Sequence, residues 1–152
     1  TLEGKRYGNI NFLPYLQTNS EVNDFLNSID IDLSGMSGAE GWNLPAFNSS
    51  CLGKHSIVLN STSHKDWANK DNCILVEPTG KETAEDKIFF HAGQPFNQGH
   101  IYCFDEEDFC SKMDEAIKAC EKVNTEGEKL KEKFTYKKMF ENILKTIGDY
   151  SE

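Results

Sequence analysis

The chain has 152 residues, 16 Lys plus Arg against 25 Asp plus Glu, and a formal net charge of −9. That length suits one domain with a substantial core, and 38% hydrophobic against 27% charged residues excludes disorder as the default state. The negative excess and the lack of a Lys/Arg cluster argue against a nucleic-acid partner. The longest apolar runs, such as Ile57-Val58-Leu59, fall far short of the about 20 residues a membrane span needs.

Thr1 to Arg6 carries neither an initiator Met nor an apolar leader, so it reads as a cut edge and the expected location is the cytoplasm. Cys51, Cys73, Cys103, Cys110 and Cys120 are odd in number and lack C-x-x-C spacing, which reads as buried free thiols. His55, His64, His91 and His100 are scattered, and only His100 with Cys103 has a loosely ligand-like spacing, so no metal and no cofactor are expected.

In chain order, Asn9 to Leu13 reads as a strand closed by Pro14. Ser20 is the expected cap of a helix whose Val22, Phe25, Leu26 and Ile29 recur at helical spacing. Ile31 to Met36 reads as the next strand, and Ser37-Gly38-Ala39-Glu40-Gly41 as a turn into a helix over Trp42 to Leu52 that Gly53 ends. Ser56 to Leu59 and Cys73 to Val76 read as strands flanking a short helix capped by Ser63, and Ile88-Phe89-Phe90 pairs with Ile101-Tyr102-Cys103 as an excursion. Asp105 caps a helix bearing Phe109, Met113, Ile117 and Cys120. A second helix follows, carrying Phe134, Met139, Phe140, Ile143, Leu144 and Ile147 as a core stripe. This alternation predicts an α/β fold with a parallel sheet.

Ligands of such sheets sit outside the carboxyl ends of the strands, where a helix N-terminus presents N–H groups to an anion. Glu40 beside a bound phosphate could accept hydrogen bonds from polyol hydroxyls, which together suit a sugar nucleotide. On local pattern alone, Gly41 and Pro45 serve equally as a plain connection with Glu40 a solvated acid. Asp30-Ile31-Asp32 spells D-x-D, a pattern that clamps metal diphosphates elsewhere, but it opens the strand at the end opposite the ligand side.

The run Glu40-Gly41-Trp42-Asn43-Leu44-Pro45 into a helix resembles the signature turn of retaining GT-B glycosyltransferases of the group 1 type. Ile10 to Tyr15, Val22 to Asp30, His55 to Asn60, Asn72 to Pro78 and Glu132 to Tyr136 resemble further segments of that family in the same order, covering about residues 9 to 149. The resemblance implies a partial Rossmann-like, C-terminal donor-binding domain: a parallel sheet flanked by helices with two C-terminal helices over 105–150. It implies Glu40 as the catalytic residue, its carboxylate holding the donor sugar. Gly41, Trp42, Asn43 and Leu44 would meet sugar and diphosphate, and Leu13, Pro14 and Tyr15 the base. The family carries a second glutamate on the ribose eight positions after the first; here Asn48 stands there.

The family's other Rossmann-like domain and basic phosphate clamp have no counterpart in this sequence. The expectation is therefore a nucleotide-sugar donor as partner, an unknown acceptor, no transfer by this chain alone, and self-association through unpaired sheet edges. The alternative is a noncatalytic α/β binding or interaction module that has lost the nucleotide site.

Overall fold

The chain opens on a small antiparallel hairpin, β1 (Arg6–Tyr7) with β2 (Ile10–Asn11), in a computed structural model that describes residues 2–96 and 99–149. The strand expected over residues 9–13 is thus two residues long and lies in its own sheet. Gly8, with φ of +61°, reverses the chain, so Phe12 N–H donates backwards to the Lys5 carbonyl at 2.8 Å.

Helix α1 (Asn19–Ser28) is capped by Thr18 rather than by Ser20. Thr18 Oγ1 accepts from Glu21 N–H at 3.2 Å, while the Glu21 carboxylate accepts from the N–H groups of Thr18 (2.8 Å) and Gln17 (2.7 Å). This is a reciprocal capping box. The bonds from Thr18 and Gln17 hold the Glu21 carboxyl below its ordinary pKa.

Next come β3 (Ile31–Gly35), α2 (Leu44–Cys51), β4 (His55–Leu59), a 3-10 turn (Thr62–Asp66) and β5 (Ile74–Val76). The strands form a parallel sheet in the order β3-β4-β5. Alternation along β4 and β5 divides the core between the two faces of the sheet. Val58 and Cys73 join Ala46, Trp67, Ala68 and Leu130 on one side, while Ile57, Leu59, Ile74 and Val76 join Ala116 on the other. The resulting α/β architecture, a parallel sheet flanked by helices, is compatible with a Rossmann-like fold.

Burial pushes the Cys73 thiol up to about 12 and the Cys51 thiol up to about 11. Near pH 8 the thiolate fraction of Cys73 is about a thousandfold below that of an ordinary thiol. Iodoacetamide labelling followed by peptide mass analysis is therefore expected to modify exposed Cys110 first and to reach Cys73 only on unfolding. Labelling of Cys73 at the Cys110 rate in the native protein would contradict this packing.

Beyond β5, an antiparallel hairpin pairs β6 (Gly80–Thr83) with β7 (His100–Cys103). The sequence expectation placed Ile88 to Phe90 opposite β7. Instead, Asp86 Oδ1 accepts from the N–H groups of Ile88, Phe89 and Phe90 at 2.8 to 2.9 Å, so these groups serve a local turn rather than a ladder.

Helix α3 (Glu106–Ala119) is capped by Asp105, whose carboxylate accepts from Asp108 N–H at 2.8 Å, and packs Phe109, Met113 and Ala116 on the sheet. The single helix expected after it is instead two one-turn helices, α4 (Thr125–Glu128) and α5 (Leu130–Lys133), followed by α6 (Tyr136–Asp149). Phe134 joins the core, but α6 has no buried residue, so the expected core stripe faces outward. Among the described residues no helix is long and apolar enough to cross a membrane.

Candidate functional site

The turn between β3 and α2 stands at the carboxyl end of β3, and every side of it is tied down. Gly38 is buried, and its carbonyl accepts from Tyr102 N–H on β7 at 3.0 Å. A side chain at this position would strike the Tyr102 backbone, so glycine is required for the approach. The Glu40 carbonyl accepts from Ser63 Oγ at 3.0 Å, and the Trp42 carbonyl accepts from the Trp67 indole N–H at 3.0 Å. Ser63 therefore braces the turn; it does not cap the short helical segment, which starts after Ser61.

Asn43 closes the turn. It adopts the left-handed conformation (φ 63°, ψ 70°), its Nδ2 donates to the Ser34 carbonyl at 2.8 Å, and its Oδ1 accepts from Ala46 N–H at 3.2 Å. Asn43 is thus the N-cap of α2, which begins at Leu44 rather than at Trp42. Trp42 instead packs edge-on against Phe134, with ring centroids 5.3 Å apart.

This cap changes where an anion would bind. Pro45 has no N–H and Ala46 N–H is already taken by Asn43, so the first turn of α2 offers only Leu44 N–H. Among the described residues the N–H groups of Gly41, Trp42, Asn43 and Leu44 have no intramolecular acceptor, which moves the run of available donors one step upstream of the helix. Beside them, Glu40 is half-buried, and its carboxylate makes no hydrogen bond or ion pair with the described residues.

Behind the turn, Asp32 is buried and accepts from Ser34 Oγ at 2.9 Å. Burial raises the Asp32 carboxyl above its ordinary pKa, partly offset by bonds from Ser34 and Ser56. Its role here is to hold Ser34, and through it Asn43. Asp30 is exposed, and among the described residues no group of three His, Cys, Asp or Glu side chains is placed to hold a metal ion.

No protein-family model and no curated protein matches this chain. The site therefore rests on its own geometry.

That geometry brings Glu40, Gly41, Trp42, Asn43 and Leu44 together as one braced turn. Asn48 lies on the exposed face of α2, one turn beyond Leu44, and its side chain takes no partner among the described residues. Leu13, Pro14 and Tyr15 lie in the exposed segment between β2 and α1, and no hydrogen bond or ring contact ties them to the turn among the described residues.

Sequence reasoning missed Ser34, Ser63 and Trp67, which brace the turn from neighbouring strands and loops. It also missed the capping role of Asn43, although Asn followed two residues later by Pro is a local helix-start signal. The neighbouring 3-10 turn is polar and strained: Thr62 has φ of +49°, and Ser61 Oγ, Thr62 Oγ1 and His64 Nε2 are buried without a partner among the described residues.

Proposed function

We propose that this chain is the donor-binding portion of a retaining GT-B glycosyltransferase. The observation that carries this reading is the run of unpartnered amides, Gly41 to Leu44, next to the unpaired, half-buried Glu40 at the carboxyl end of a parallel strand. Successive amides favour a polyanion such as a diphosphate, and a carboxylate beside them favours the hydroxyls of a neutral sugar. The resemblance of the Glu40–Pro45 run to the family's acidic turn supports the same assignment.

In this reading Glu40 orients the sugar, and the amides stabilise negative charge on the diphosphate as its bond to the anomeric carbon breaks. The acceptor hydroxyl and the groups that position it would be supplied from outside these 152 residues, so the chain alone binds donor without transferring it. Asn48 on the ribose would contribute a neutral hydrogen bond, weaker by about 1 kcal/mol than a carboxylate's.

A panel of UDP-, GDP- and ADP-sugars, titrated into 15N-labelled protein, tests the proposal. The expected result is saturable shifts of the Gly41 to Leu44 amides with at least one donor, and a loss of affinity of about tenfold or more in Glu40→Gln, in line with a charged hydrogen bond. If no donor shifts these amides at millimolar concentration, the reading fails. The exposed, unpaired side chain of Asn48, where the family has its ribose-gripping glutamate, favours a second reading: an α/β interaction module without a nucleotide site.

A further inference from the structure

The bonds that brace the Glu40 turn also aim it. In a trans peptide the carbonyl of one residue and the N–H of the next lie in one plane and point in opposite directions, and every peptide of this turn is trans. Ser63 Oγ holds the Glu40 carbonyl at 3.0 Å, so the Gly41 N–H points away from Ser63. The Trp67 indole N–H holds the Trp42 carbonyl at 3.0 Å, so the Asn43 N–H points away from Trp67. Both donors belong to the connection from β4 to β5, which therefore turns two alternate N–H groups of the turn away from itself. Beside exposed Gly41 there is room, since a Cβ built there would meet nothing within 4 Å beyond its chain neighbours.

The connection is anchored on both sides of Ser63. His64 is fully buried, and its Nδ1 donates to the Leu59 carbonyl at 2.8 Å. Trp67 is buried too, and its carbonyl accepts from Asn72 Nδ2 at 2.8 Å. Thr62 holds a φ of +49°, which a β-branched residue rarely adopts. Strain of this kind persists where the surroundings over-determine it, and it clusters at ligand clamps. Ser63 itself is half-buried, and its hydroxyl has the Glu40 carbonyl as its one partner among the described residues.

We propose that Ser63 is a positioning residue of the donor site: by holding the Glu40 carbonyl, its hydroxyl directs the Gly41 N–H at the diphosphate and fixes the backbone from which the Glu40 carboxylate reaches the sugar. The assignment rests on the donor-binding reading and adds to it the group that sets the direction of the first amide. Ser63 touches neither phosphate nor sugar. An N–H aimed in advance needs no reordering when the anion arrives, so a bond made behind the turn is felt in front of it.

Inorganic pyrophosphate titrated into 15N-labelled protein provides the test. The expected result is a saturable shift of the Gly41 amide, an affinity about tenfold lower in Ser63→Ala, and recovery to within about threefold of the parent in Ser63→Thr, which keeps the hydroxyl. The thermal midpoint of Ser63→Ala should fall by no more than about 4 °C, in line with one half-buried hydrogen bond. Without ligand, the 15N order parameter of Gly41 should drop from about 0.85 toward about 0.6 in Ser63→Ala and stay at the parent value in Ser63→Thr, a local signature that a general loss of stability does not produce. Equal pyrophosphate affinity in Ser63→Ala and the parent, or an unchanged Gly41 order parameter, overturns the positioning role and leaves the donor reading standing. A parent whose Gly41 amide ignores millimolar pyrophosphate overturns it as well, and the sugar-nucleotide titration then judges the donor reading by itself.

Discussion

Asn124→Ala is expected to lower the stability of the protein by about 3–4 kcal/mol, three lost hydrogen bonds at about 1 kcal/mol each plus the cost of buried groups left unpaired. The Asn124 side chain is 7% exposed and joins parts of the chain that are far apart in sequence. Its Nδ2 donates to the carbonyls of Lys54 (3.0 Å) and Asn72 (2.8 Å), and its Oδ1 accepts from Gly127 N–H at 2.9 Å. It therefore pins the end of α2, the entry to β5 and the start of α4 to one point. Gly127 completes the joint, since any side chain there would meet the Ser50 carbonyl and the Asn124 amide. In a domain of this size the loss is roughly 10 °C in midpoint. Asn124→Asp should be no better: it keeps the acceptor for Gly127 but turns a carboxylate on two carbonyls. Asn23→Ala on exposed α1 serves as the control and should stay within about 0.5 kcal/mol of the parent. Urea denaturation of the three variants decides the matter, and a cost below about 1 kcal/mol for Asn124→Ala would show that the joint carries little energy.

Asn43→Ala is expected to cost about 3 kcal/mol, and Asn43→Gly clearly less. Both remove the bond to the Ser34 carbonyl and the cap on Ala46 N–H, together about 2 kcal/mol. Only alanine adds the strain of the left-handed conformation, about 1–2 kcal/mol. Glycine is also a tolerable cap in its own right. The gap between the two variants in chemical denaturation therefore measures the strain that asparagine absorbs at this turn, and equal losses would show that the turn relaxes to another conformation. Under the proposed function both variants also weaken donor binding, because Asn43 anchors the backbone carrying the amides of Gly41 to Leu44 to the Ser34 carbonyl and to Ala46 N–H.

Much of the architecture was written locally. Asp105 starts α3 because its carboxylate reaches Asp108 N–H three residues away, a distance fixed by helix geometry. The strands β3, β4 and β5 were legible as short apolar runs between turn residues, and the carboxyl-end position of the Glu40 turn followed from their order. Local signals also competed, and pattern alone did not rank them. Thr18 outranks Ser20 because Glu21 sits three residues after it and completes a box. Asp86 diverts the N–H groups of Ile88 to Phe90, leaving β7 to pair with the wholly exposed Gly80–Thr83, which carries no apolar alternation to betray it.

The candidate site divides in the same way. The amino-acid sequence by itself determined the α/β alternation, the glycine and acid of the turn, and the amphipathic character of α6, since each depends on residues within a few positions of one another. Only the tertiary structure decided that Ser34, Ser63 and Trp67 brace the turn, and that Asn43 rather than a ligand occupies Ala46 N–H. It alone showed that Asn124 gathers three segments and that the stripe of α6 faces outward. The physical reason is that helical periodicity records which side chains share a face, whereas burial depends on what the rest of the chain brings against that face.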